Sequence, residues 1–191
     1  MKKSLKANSL LFPNPAMVVC TYDANGRANA ITLAWGGIAA SEPPAVSIAV
    51  RPSRHSYEAL RRTKAFTVNL PSVKHVTQTD FFGIASGRDI DKFAVTGLTP
   101  VKGEFVDAPY IEEFPYNIEC QVVHEVELGT HTLFVGEVLN VKIDSDLVES
   151  NGKPSWENAR LLTFDSMSRS YRAPGEVVGS AYSIGKKWLA S

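Results

Sequence analysis

Apolar positions fall into short runs set off by glycine, proline and turn-forming polar residues, a pattern of strands rather than long helices. Ala16 to Tyr22 is apolar and β-branched. Asp23-Ala24-Asn25-Gly26 then supplies turn chemistry, and Asn29 to Trp35 predicts the returning strand of a hairpin. After Gly36-Gly37 and the break at Pro43-Pro44, Ala45 to Val50 predicts a third strand. From Ser53 to Lys64 the period becomes helical. Tyr57, Leu60 and Arg61 follow at helix spacing, with Ser53 or Ser56 expected as the N-cap. Phe66 to Leu70 alternates as a strand and stops at Pro71. Ser72 to Ala85 is a polar helical stretch, and Asp89 to Phe93 predicts a second short helix.

From Thr96 to Pro115 the chain is irregular, with a short strand expected near Val101. Two long strands, Tyr116 to Leu128 and Thr132 to Ile143, flank the turn Gly129-Thr130-His131. Beyond Asp144 come a turn at Gly152-Lys153-Pro154, a short helix from Ser155 to Arg160 and a short strand from Leu161 to Phe164. A glycine-rich irregular stretch then runs from Tyr171 to Ser191. Six or seven strands with helices inserted between them, rather than a βαβα alternation, predict a mainly β fold. Its antiparallel sheet is expected to close into a barrel. With no linker, repeat or low-complexity tract in sight, residues 1–191 are expected to form one domain.

Composition narrows the functional classes. Twenty basic residues balance twenty acidic ones, which argues against a general nucleic-acid binder but permits a local basic pocket. A hydrophobic fraction of 44% with 21% charged residues excludes wholesale disorder. The apolar stretch Leu10-Leu11-Phe12 is cut by Pro13 and Pro15, too short for a secretory signal. No run is long enough to span a bilayer, so a cytoplasmic protein without membrane association is expected. Cys20 and Cys120 lie in apolar strand-like runs without Cys-x-x-Cys spacing, and buried thiols are expected. The four histidines lack zinc-hydrolase spacing, and no metal site is expected. There is no Gly-x-Gly-x-x-Gly and no Walker loop. Gly83-Ile84-Ala85-Ser86-Gly87 fails as a nucleophile elbow because Ala85 stands at its centre.

Three segments retain chemistry. Asn29 to Gly37 places amide, hydroxyl and indole groups (Asn29, Thr32, Trp35) on a strand ending in glycines, where a flat ligand can approach backbone. A barrel strand with a core tryptophan is the alternative. Arg51-Pro52-Ser53-Arg54-His55-Ser56 sets guanidinium and hydroxyl groups at a strand-to-helix junction, where free N–H groups and the helix dipole favour a phosphate. An ordinary capped helix with solvated arginines would look the same. In the third, Phe81-Phe82-Gly83 to Gly87 is followed by Asp91-Lys92-Phe93, which holds a lysine against aromatics. His131 sits at a hairpin tip, where exposure is the usual outcome.

The order Asn29…Thr32…Trp35, Arg51-x-Ser53-x-x-Ser56, Phe66 to Pro71, Asp80-x-Phe82-Gly83-x-x-Ser86-Gly87 and Asp91-Lys92-Phe93 resembles the flavin-reductase-like proteins, and within them the flavoredoxins. The resemblance runs from the N-terminus through Ile143 and thins after Asp144. It implies an FMN-binding split β-barrel, a homodimer with flavin near the subunit interface. It also implies that Asn29, Thr32, Ala34 and Trp35 lie along the ring or ribityl chain, and that Ser56 holds the phosphate with Arg51 and Ser53 nearby. Lys92 would approach the ring's polar edge, and His131 and Phe164 would complete the pocket. Three functions are then in competition. One is an FMN-binding electron carrier serving a redox partner protein, and another an NAD(P)H-dependent flavin reductase. The third is a barrel that has lost flavin and acts as a binding module.

Overall fold

The computed structural model describes residues 1–189. Antiparallel hairpins build its main sheet. Strand β1 (Asn14–Pro15) leads into β2 (Met17–Tyr22), which turns and returns as β3 (Ala28–Leu33). Asp23 organises that turn: its carboxylate accepts from the N–H groups of Asn25 (2.8 Å) and Arg27 (3.0 Å). Gly26, at φ 74°, takes the left-handed conformation that other residues avoid. A second hairpin follows, β4 (Gly36–Ser41) and β5 (Pro44–Val50), then helix α1 (His55–Thr63) and β6 (Ala65–Leu70). Helices α2 (Val76–Ile84) and α3 (Lys92–Thr96) precede the short strands β7 (Pro100–Lys102) and β8 (Pro109–Ile111). The long hairpin β9 (Tyr116–Leu128) and β10 (His131–Ile143) is followed by α4 (Trp156–Ala159), β11 (Thr163–Asp165) and β12 (Ser170–Arg172).

Seven strands form one antiparallel sheet in the order β3-β2-β6-β9-β10-β5-β4, flanked by a β1-β11-β12 sheet and a β7-β8 pair. The sheet curls until β3 meets β5, yet among the described residues no ladder joins the edge strands β3 and β4. The barrel is split. Side chains alternate across it. Met17, Val19, Ile31, Ile48, Phe66 and Phe134 fill the interior, while Val18, Cys20 and Ala30 point outward beneath Phe82, Phe93 and Phe114. Both faces of β2 are therefore covered, and its sequence is almost continuously apolar for that reason. Helix α1 lays Tyr57 and Leu60 on the interior cluster, and the Tyr57 hydroxyl meets Thr132 Oγ1 at 3.0 Å. No helix among the described residues is long and apolar enough to cross a membrane.

Several expectations need correction. Helix α1 is capped by Arg54 without a side-chain bond, not by Ser53 or Ser56, because Ser53 is exposed and Ser56 lies inside the first turn. Helix α3 starts at Lys92, with Asp91 accepting from the Ala94 N–H at 3.0 Å, and does not span residues 89–93. Strand β4 has no apolar alternation and is held through backbone bonds to β5, which its residue types do not announce. Trp35 accordingly falls in the break between β3 and β4 rather than at a strand end. The three-residue strands β8 and β12 also lie outside the expected set.

Candidate functional site

A cavity of about 320 Å³ opens where β3, the start of α1 and the segment after α2 converge. Its floor is polar and buried: Asn29, Ser56 and Lys92 are each less than a tenth exposed. Asn29 Nδ2 donates to Ser56 Oγ at 2.8 Å, which leaves the Ser56 proton for an acceptor in the cavity. His55 and Ser56 bring the N-terminus of α1 to the same cavity, where the helix dipole adds positive potential. Ser53, Arg54 and His55 form one wall, Gly83 to Asp89 the other. The walls approach closely at Gly87, where a Cβ would stand 2.0 Å from Asn29 Oδ1 and 2.9 Å from His55 Cδ2. No other residue type fits there without displacement.

The charges of the cavity are mostly positive. Lys92 Nζ donates to the carbonyls of Ala30 (2.7 Å) and Phe82 (2.9 Å), tying β3 to α2, and makes no ion pair among the described residues. Burial, with Arg54 adding repulsion, lowers its pKa to about 8. Desolvation also lowers His55, as does the nearby Arg88, although Asp23 Oδ2 lies 4.0 Å from its Nε2. Asp89 is the carboxylate lining this cavity, and it is exposed. A buried ammonium beside a helix N-terminus and two guanidinium groups is complementary to an anion.

Of the other expected site residues, Trp35, Arg51 and His131 form a second group. Trp35 stacks obliquely on His131, with ring centroids 4.8 Å apart, and His131 Nε2 accepts from Arg51 Nε at 3.4 Å. Desolvation and the adjacent Arg51 and Arg54 lower the His131 pKa, in keeping with a neutral imidazole. Trp35 also lines a separate cavity of about 440 Å³, shared with Leu10, Leu11, Ala49 and Leu133. Thr32 donates its hydroxyl to the Thr79 carbonyl and so fastens α2 to β3, while half-buried Ala34 follows the end of β3. Phe164 lies in the small sheet, paired with Asn14 and packed against Tyr171 with centroids 5.4 Å apart, and lines neither cavity. Cys20 and Cys120 are buried on opposite faces of the sheet. Burial raises the pKa of both thiols, that of Cys120 to about 12.

Residues 9–170 match the flavin reductase like domain family. The chain belongs to the flavin reductase-like family. Flavoredoxin of Desulfovibrio vulgaris (Miyazaki F) is similar at a TM-score of 0.93 and 42% identity, over 97% of this chain and 100% of that one. The flavoredoxin from Methanosarcina acetivorans is similar at 0.88 and 28% identity, over 98% and 100%. An uncharacterised protein of Aeropyrum pernix is 34% identical over 161 residues, 84% of this chain and 59% of its own length, so the match spans less than two-thirds of that relative.

Within the flavin reductase-like fold, then, Asn29, Ser53, Ser56 and Lys92 share one cavity, and Trp35, Arg51 and His131 share a contact at the far end of β3. The residue pattern holds Gly87 in the third segment without a role of its own and passes over Arg88. Their signal is a glycine and a base directly after Ser86.

Proposed function

We propose that this chain binds FMN, its phosphate at the α1 N-terminus and its ring extending along β3 toward Trp35, and passes electrons through it. The carrying observation is the buried Lys92 ammonium without a carboxylate, set in one cavity with Ser56, Arg54 and Arg88. These residues fit a phosphorylated flavin. Ser56 retains a proton to donate, Lys92 retains one N–H after its two carbonyl bonds, and Gly87 keeps the cradle open. Bound flavin supplies the redox chemistry, and the protein sets orientation, charge and access. Asn29 orients Ser56, Lys92 holds positive charge on the cavity floor, and the Arg51–His131–Trp35 contact fixes the indole where the ring would end.

A homodimer belongs to the same proposal. Leu133 pairs with Ala49 on one side and Val126 on the other, giving the outer face of the sheet an apolar stripe. Exposed Leu128 at the end of β9, two residues beyond Val126, extends it. Light scattering of the purified protein measures the oligomeric state. A monomer at micromolar concentration would count against it.

Reconstitution with FMN followed by a visible spectrum tests the main proposal. Uptake of one flavin per chain is expected, and a protein that stays colourless refutes it. A second reading, an NAD(P)H-dependent flavin reductase, is favoured by the open side of Trp35. The indole is 42% exposed beside the larger cavity, with room for another planar group. NAD(P)H oxidation in the presence of free FMN separates the two: rapid turnover selects the reductase, and its absence selects the carrier.

A further inference from the structure

The polar cavity has a floor and a rim that differ in kind. Asn29, Ser56 and Lys92 are buried, whereas Ser53 and Arg88 are exposed and lie at the mouth. Arg88, in the segment after α2, donates from Nη1 to the Ser53 carbonyl at 3.0 Å, in the segment before α1. Those two segments are the opposing walls of the cavity. The Arg88 backbone N–H is itself held by Ser86 Oγ at 3.2 Å, and Gly87 packs against Asn29 and His55 just before it. The guanidinium is thus a tie across the mouth, carried on a segment pressed against the floor.

We propose that the Arg88–Ser53 bridge makes this site select a flavin monophosphate over a flavin dinucleotide; the inference rests on the flavin reading of the cavity. A phosphate monoester ends where it is bound and carries a charge of about −1.5 to −2 near neutral pH. Its terminal oxygens meet the Ser56 hydroxyl, the α1 N–H groups and Lys92 from below, with Arg54 and Arg88 from the rim. The inner phosphate of a dinucleotide is a diester. Its chain does not end there but must continue out of the mouth. The way out lies between the walls that Arg88 joins, so a dinucleotide must part the bridge and displace the guanidinium that the monoester exploits. Asp89 lines the same mouth and would face the second phosphate, which adds repulsion against the longer ligand only. His55, Arg54 and Lys92 face both ligands alike and do not discriminate by themselves.

Titration of the flavin-stripped wild-type protein, Arg88→Ala and Arg88→Lys with FMN, FAD and riboflavin, followed by flavin fluorescence, tests the proposal. The wild type should bind FMN at least about tenfold more tightly than FAD, as one charge-assisted contact would provide. Arg88→Ala should lose about tenfold in FMN affinity, leave riboflavin unchanged and bind FAD as well as or better than before, collapsing the preference. Arg88→Lys should retain more FMN affinity than Arg88→Ala because the charge remains. Equal wild-type affinities for FMN and FAD, or a preference that survives Arg88→Ala, would overturn the proposal while leaving the flavin site in place. Riboflavin binding as tightly as FMN would overturn it too, since no phosphate would then be recognised. Failure of all three flavins to bind the wild type would remove the flavin reading itself. Arg88 is exposed, so the variants should fold, and circular dichroism spectra should overlay that of the wild type.

Discussion

Gly87→Ala is the sharpest test of how the cavity is built. The new methyl carbon would stand 2.0 Å from Asn29 Oδ1, 2.9 Å from Asn29 Cγ and 2.9 Å from His55 Cδ2. Favourable contacts between carbons begin near about 3.5 Å, so more than an ångström must be recovered. Asn29 is only 6% exposed and has no solvent to retreat into, and rotating its amide breaks the 2.8 Å bond to Ser56. Losing one buried hydrogen bond costs about 1 kcal/mol, and stranding its groups adds about 1–3 kcal/mol. Absorbing the overpacking without that rotation instead costs about 1–3 kcal/mol, so whichever response the segment makes, a cost near 2–3 kcal/mol is expected. For a chain of this length that lowers Tm by about 5–10 °C. The assay is a pair of thermal melts with parallel FMN titrations. Affinity should fall about tenfold or more, because the floor is disturbed directly. Gly37→Ala serves as a control, since its Cβ meets nothing within 4 Å. A Gly87→Ala protein with wild-type Tm and wild-type FMN affinity would show that this segment does not press on Asn29.

Lys92 provides a pH signature. Its folded pKa of about 8 lies below the usual 10.5, so between these values the unfolded chain binds more protons than the folded one. The stability of the flavin-free protein should therefore gain from Lys92 as pH rises through that window, while FMN affinity falls as the ammonium is lost. Titrations at about pH 7 and about pH 9.5 should differ in the wild type and converge in Lys92→Met. A wild-type affinity that does not move over that range would dismiss the role. In the barrel interior, Gly136→Ala would place a Cβ 2.6 Å from the fully buried Phe66 ring and 2.9 Å from Cys120 Cβ, and should cost about 2–3 kcal/mol. Urea unfolding measures it, and an unchanged midpoint would contradict the packing. Both cysteines should resist thiol reagents in the native protein, since burial raises their pKa values. Labelling of either one before unfolding would contradict their placement.

What was legible in the residue pattern is what is local. Asp23 to Gly26 turns because its own backbone and carboxylate close it, and the alternation of β6 needs only its neighbours. Ser56 shows where locality ends. A serine near a helix start predicts a cap, but its hydroxyl is claimed by Asn29, 27 residues earlier and on another element, so the helix begins uncapped. Thr32 likewise carried a ligand-facing expectation, yet its hydroxyl is spent on the Thr79 carbonyl, 47 residues away. Gly87 reads as one glycine among several, and only the approach of β3 makes it irreplaceable. Trp35 lies beyond the end of β3, where the two-residue period no longer decides which face a side chain takes, and it lines the cavity that Asn29 does not. A ligand that touches both groups must therefore run along the edge of the split sheet, where no ladder crosses from β3 to β4 among the described residues. The gap that keeps the barrel from closing is thus the physical precondition for a flavin to reach from Ser56 to Trp35.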